Sequence, residues 1–193
     1  MAKEFSLNKT EKDFCLALAK KSIEYSICSD TLLKLPDNEI KKLPKKLLEK
    51  KACFVTLKLN GKLRGCIGHL VAHKPLYSDI IENAYASAFC DPRYNALSRK
   101  ELCDIAIEIS VLTDAIEIKF KDCNDLLKQI KPKKDGLIIS RGYSSATFLP
   151  SVWEEIKSKE EFLSQLCIKA DLDSDSWKRP GMKIQKYNSI KIN

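Results

Sequence analysis

The chain has 193 residues, 44% hydrophobic and 31% charged, and carries a formal net charge of +8. That balance suits one well-cored soluble domain, or one domain with two lobes. No apolar run approaches the roughly 20 residues that a spanning helix needs. Met1-Ala2-Lys3-Glu4-Phe5 lacks an apolar signal region, so no membrane association and a cytoplasmic location are expected.

Asn8 or Thr10 can cap a first helix running to about Cys28, with Phe14, Leu18 and Tyr25 near one face. Residues 29 to 51 are lysine-rich and broken by Pro36 and Pro44, which reads as a connection holding one short helix. Next comes the apolar run Cys53-Phe54-Val55-Thr56-Leu57, then Asn60-Gly61, a strong short-range signal for a tight hairpin turn. The second strand of that hairpin is Leu63-Arg64-Gly65-Cys66-Ile67-Gly68. Pro75 suits the first turn of a helix in which Leu76, Ile80, Ala84 and Ala88 recur at helical spacing.

Asp91-Pro92-Arg93-Tyr94 breaks that pattern, and Ser98-Arg99-Lys100-Glu101 resembles a capping box. Alternating residues predict strands over Ile105 to Val111 and Ile116 to Phe120. A short helix over 122 to 131 stops at Pro132, Asp135-Gly136 turns, and Leu137 to Ser140 and Ala146 to Leu149 read as strands. Helices follow Pro150 and the capping box Ser158-Lys159-Glu160-Glu161, and the tail from Ile184 to Ile192 returns to a sheet. Strands and helices mix without regular βαβ alternation, so the expected class is α+β: a two-lobed single domain over 1–193 with a mixed, largely antiparallel sheet flanked by helices.

The glycines beside Arg64 and Cys66 make the hairpin the leading site candidate, because glycine within a strand marks a bend, a bulge or a close approach. With a two-residue loop at Asn60-Gly61, Leu59 faces Lys62, Leu57 faces Arg64, and Val55 faces Cys66. Arg64, Cys66 and Gly68 then share a face with Cys53, Val55, Leu57 and Leu59, while Leu63 and Ile67 lie opposite. An arginine on a covered face needs a carboxylate or an anionic ligand, since an unpaired desolvated charge is costly.

These segments together resemble one family across nearly the whole chain, the AMMECR domain family, component A of AmmeMemoRadiSam systems. The resemblance rests on Leu63–Gly68, on Ala88-Phe89-Cys90-Asp91-Pro92-Arg93-Tyr94 and on Ile107-Glu108-Ile109-Ser110-Val111-Leu112. It extends through Asp135-Gly136-Leu137-Ile138-Ile139, Phe148-Leu149-Pro150, Phe162-Leu163 and Lys169-Ala170. It implies a two-lobed α+β protein with the hairpin, residues 52–68, near the junction of the lobes. It also implies a Memo-like protein and a radical-SAM enzyme as partners. The chain departs from the family pattern at His69, where a small hydroxyl residue is usual, at Ser145 and Ala146, and at Asp171, where glycine is common.

Three readings of the motif follow. In the first, Arg64, Gly65, Gly68, Asp91 and Arg93 form a binding cleft for a small anionic ligand or a partner's loop, with Arg64 paired to a carboxylate such as Asp91 and the glycines letting backbone amides approach. A purely structural ion-pair corner is its bland counterpart. In the second, Cys66 is a nucleophile favoured as thiolate by Arg64 and served by His69 as base. The third takes Cys66, His69 and His73 as metal ligands, but no further cysteine pair completes the set. The histidines therefore read as exposed loop residues, and neither metal nor other cofactor is expected. Glu108 and Ser110 could line a cleft or simply a half-exposed strand.

Eight cysteines without a CxxC pair read as reduced and mostly buried thiols. Lys41, Lys42, Lys45, Lys46, Lys50 and Lys51 form one lysine group, and Lys128, Lys131, Lys133 and Lys134 another. With arginine scarce and no stacking aromatics alongside, they read as solvated surface rather than a nucleic-acid interface. Trp153 and Trp177 read as packing residues.

Overall fold

The structure is a computed structural model that describes residues 5–193. The segment Met1–Glu4, read above for a signal region, lies outside the described residues. Among them are five α-helices, α1 (Lys9–Ser29), α2 (Asp37–Ile40), α3 (Leu76–Phe89), α4 (Cys123–Gln129) and α5 (Lys159–Lys169). Eight strands accompany these: β1 (Cys53–Leu59), β2 (Lys62–Gly68), β3 (Ile105–Leu112), β4 (Ile116–Glu117), β5 (Gly136–Arg141), β6 (Ser144–Phe148), β7 (Lys183–Tyr187) and β8 (Ser189–Ile192). The class is α+β as expected, but the strands form two four-stranded sheets instead of one, ordered β2-β1-β3-β8 and β4-β7-β5-β6.

The chain divides into two compact units, one reaching to Leu112 together with Ile190–Asn193, the other Thr113–Ser189. In the first unit β1 pairs antiparallel with both β2 and β3. Asn8 begins α1 with a complete capping box: its side chain accepts from Glu11 N, and the Glu11 carboxylate accepts from Asn8 N. The buried stripe of α1 is Cys15, Leu18, Ala19, Ser22, Ile23 and Ser26. Of the face expected from periodicity only Leu18 belongs to it, for Phe14 and Tyr25 are 37% and 44% exposed. The difference arises because small hydroxyl residues serve as interior positions here. Ser22 Oγ donates to the Ile81 carbonyl on α3 at 2.8 Å, and Ser26 Oγ back-bonds to Ser22 O at 2.9 Å. Paired hydroxyls bury cheaply and let two helices come close.

The connection after α1 holds α2 and a 3-10 turn over Lys45–Leu48, one element more than predicted. Within its lysine group, Lys41, Lys42 and Lys45 are exposed, but Lys51 is buried, its Nζ 5.0 Å from the centre of the Phe5 ring. The second group, Lys128, Lys131, Lys133 and Lys134, is exposed.

The second unit has its own apolar cluster, in which Trp153 stacks on Phe162 with centroids 3.8 Å apart. Trp153 Nε1 donates to Asp135 O, and Trp177 is also buried. The strand predicted over Ile116 to Phe120 shortens to β4, Ile116–Glu117. The tail is two strands in separate sheets, β7 and β8. Asp171, at the position where glycine is common, has φ +57° just past α5, a left-handed turn that glycine adopts without steric cost. All eight cysteines are free, but Cys28, Cys90 and Cys103 are exposed, so "mostly buried" overstated their enclosure. No described helix is long and apolar enough to cross a membrane.

Candidate functional site

The predicted register holds at Leu59–Lys62 and Lys58–Leu63 and fails from Leu57 onward. Lys58 faces Leu63 and Leu57 faces Gly65, so Arg64 is an extra residue, a β-bulge. Every later position slips by one, and side chains change faces. Cys66 therefore faces Thr56, and its Sγ lies 3.2 Å from Thr56 Oγ1. Gly65 and Ile67 turn instead toward the face of Val55 and Leu57, both fully buried.

The cause of the slip is α3. Ser87 inserts its hydroxyl between the strands, donating to Val55 O at 2.7 Å and accepting from Ile67 N at 2.9 Å. A Cβ on Gly65 would stand 2.1 Å from Ser87 O, and one on Gly68 would stand 2.3 Å from the Phe54 ring. The approach that the two glycines permit is thus made by the protein's own helix and phenyl ring.

Arg64 is held off solvent, its side chain 13% exposed, but its carboxylate is Glu101 and not Asp91. Arg64 Nε donates to Glu101 Oε1 at 2.7 Å and Nη2 to Asn95 O at 3.0 Å. Glu101 also accepts from Ser98 N and Oγ, so the predicted capping box places the carboxylate. The Arg64 hydrogen bond, assisted by those from Ser98, draws the Glu101 pKa down to about 2.

Asp91 and Arg93 form a second paired corner. Arg93 Nε and Nη2 donate to the two Asp91 oxygens at 2.9 and 2.7 Å. Those bonds, with one from Cys66 N at 2.8 Å, hold the buried Asp91 carboxyl well below its usual range. Arg93 Nη2 also reaches Cys66 O at 3.3 Å. Since β2 is an edge strand, side chains of Asp91 and Arg93 take the outward N–H and C=O of Cys66 as a neighbouring strand would. The Tyr94 ring lies near both guanidiniums, 5.7 Å from that of Arg64 and 5.6 Å from that of Arg93.

His69 is not the exposed loop residue expected, nor is it hydrogen-bonded to Cys66. Its Nδ1 is 2.7 Å from Asp79 Oδ1 on α3. Asp79 is buried, and its Oδ2 accepts from Cys53 N at 2.8 Å and Asn83 Nδ2 at 3.0 Å. Burial, together with the Asp79 charge, pushes the Cys53 thiol pKa well up. Thus Cys66 and His69 are committed to different partners, Thr56 and Asp79. His73 is exposed, as expected. Glu108 pairs across the sheet with Lys58.

The family model for AMMECR1 matches residues 16–192. The chain belongs to the AMMECR1 family. The chain is similar to the Saccharolobus islandicus protein LS215_2104, 38% identical, with 95% of this chain and 82% of that protein aligned. A Methanothermobacter thermautotrophicus protein is 34% identical over 95% of this chain and 94% of its own length. The crystal structure of the uncharacterized protein PH0010 from Pyrococcus horikoshii is similar at a TM-score of 0.86 and 32% identity, covering 97% of this chain and 93% of that one.

Two cavities lie away from the AMMECR1 motif. One of about 280 Å³ is lined by Phe14, Leu18, Leu35 and Leu43, and one of about 490 Å³ by Phe120, Trp177, Arg179 and Met182. The residues that sequence reasoning missed are Ser87, Glu101, Asp79 and Asn83. Only Glu101 left a signal, its capping-box spacing from Ser98. The other three sit at polar positions on the inner face of α3, where an apolar stripe is the ordinary expectation.

Proposed function

We propose that this AMMECR1-family chain is a binding or accessory component, working with Memo-like and radical-SAM enzymes. Its docking surface is the one around Arg64, Cys66, Asp91 and Arg93, and the recognised group is a carboxylate or similar anion on a small ligand or a partner's loop. The observation that carries this reading is Arg93. Its side chain is 53% exposed, while the buried Asp91 fixes its guanidinium through two hydrogen bonds. With Nε and Nη2 engaged, a guanidinium held in one orientation offers its Nη1 hydrogens and loses little freedom on meeting an anion.

Because Arg64 pairs with Glu101 and Arg93 with Asp91, the local charges cancel. Recognition then rests on short-range geometry and depends only weakly on salt. Gly65 and Gly68 act from beneath this surface by seating β2 against α3 and Phe54. A catalytic thiol would need a base within hydrogen-bond reach, whereas the partner of Cys66 Sγ is the Thr56 hydroxyl at 3.2 Å.

Native mass spectrometry of ligands and proteins that co-purify with the chain tests the proposal. Arg93→Ala removes an exposed donor and leaves the Arg64–Glu101 pair in place. A bound species present on the wild type and lost on Arg93→Ala is expected. Equal retention by both forms would overturn the reading.

A further inference from the structure

We infer that His69 and His73, braced by Asp79, bind a divalent first-row transition-metal ion. Among the described residues, this is the one group of three metal-ligating side chains whose donor atoms all lie within 4.8 Å of one another. It is not the Cys66, His69, His73 set that spacing alone suggests. The bulge turns Cys66 toward Thr56, and a carboxylate on α3 stands behind the His69 ring instead.

Both imidazoles have the tautomer that metal binding needs. The partner of His69 Nδ1 is a carboxylate oxygen at 2.7 Å, and that of His73 Nδ1 is the Val71 carbonyl at 2.9 Å. Opposite a carboxylate and a carbonyl each Nδ1 is the donor, and in a neutral imidazole so anchored Nε2 is the atom with the lone pair. A histidine whose Nδ1–H is anchored on a carboxylate is the common support of a metal-ligating Nε2. The rings meet edge to face at 80° with centroids 4.9 Å apart, close enough for one ion to span them.

The brace is built from the interior. Asp79 is 1% exposed and is fixed by Cys53 N and Asn83 Nδ2 as well as by His69. Asn83 gives its amide hydrogens to Asp79 Oδ2 and Cys53 O, and its Oδ1 is buried with no protein donor. Its Nδ2 lies 3.3 Å from His69 Nδ1, so an unsatisfied oxygen belongs to the same cluster. Buried oxygens of this kind ordinarily have a water or ion to bind. Two imidazole nitrogens select the zinc, cobalt, nickel and copper class over calcium or magnesium, with solvent completing the coordination.

Titration with Co²⁺ alone tests the site, because its visible spectrum separates nitrogen and oxygen ligation from ligation by exposed cysteines. One equivalent is expected to bind without a thiolate charge-transfer band. His73→Ala, at an exposed position that leaves the interior untouched, should weaken binding at least tenfold. Asp79→Asn should weaken it by ~10–100-fold, the usual loss for a residue that orients a ligand. Absence of saturable binding up to millimolar Co²⁺ would sink the inference. So would a thiolate spectrum, or equal affinity in His73→Ala.

Discussion

A methyl group on Gly65 would stand 2.1 Å from the Ser87 carbonyl oxygen, which is fixed helix backbone and cannot swing aside. Gly65→Ala must therefore push α3 away from the hairpin, at a cost of roughly 3 kcal/mol or more. A urea midpoint falling accordingly, with unchanged slope, is the expected result. Asp171 offers the reverse case. Its φ of +57° strains an L-residue, so Asp171→Gly should raise stability by about 0.5–1 kcal/mol in the same assay. The first position was legible as a glycine beside a thiol and a guanidinium. What stood opposite it was not, because Ser87 lies more than 20 residues away on a helix and carries no special spacing. Asp171 was legible only through resemblance, which marked a position where glycine is usual without saying why.

At the scale of elements, β2 shows how one inserted residue redirects a site. The hairpin, its turn and its partner strand all follow from alternation and Asn60-Gly61. The bulge does not, since it answers to a hydroxyl wedged in from α3. The paired charges were half legible: an arginine on a strand demands a carboxylate, but several acidic residues could have met that demand. The capping box at Ser98 selected Glu101, and the Asp-Pro-Arg turn kept Asp91 for Arg93. Asp91 also closes the outward edge of β2 through Cys66 N. Asp91→Ala would uncover that edge and leave the Arg93 charge unpaired. Concentration-dependent light scattering should rise in this variant, and Arg93→Ala, which keeps the carboxylate on Cys66 N, should scatter less.

Over the whole molecule, two compact units carry two separate apolar clusters. Both tryptophans, Trp153 and Trp177, belong to the second; of the carboxylates with a lowered pKa, Glu11, Asp91 and Glu101 belong to the first and the exposed Glu160 to the second. A carboxyl whose folded pKa lies below its unfolded value stabilises the protein above the unfolded value, and that stability is lost as pH falls through the folded one. For Glu101 the window runs from about 4.5 down to about 2. Acidification across it should loosen the first unit before the second. Far-UV circular dichroism is expected to change ahead of tryptophan fluorescence, and Glu101→Gln should shrink the interval between them. Coincident transitions would mean that the units melt as one.

The wedge of Ser87 carries a consequence for how this architecture comes into being. The rung between Val55 and Ile67 is completed by a hydroxyl borrowed from elsewhere in the chain, so the ribbon cannot zip up on its own. An excised peptide spanning both strands would stay unzipped there, its two main-chain groups left to water. In the intact molecule, the Ile67 amide proton trades with deuterium only when the helix lifts, so a single nucleus records how often the two elements part.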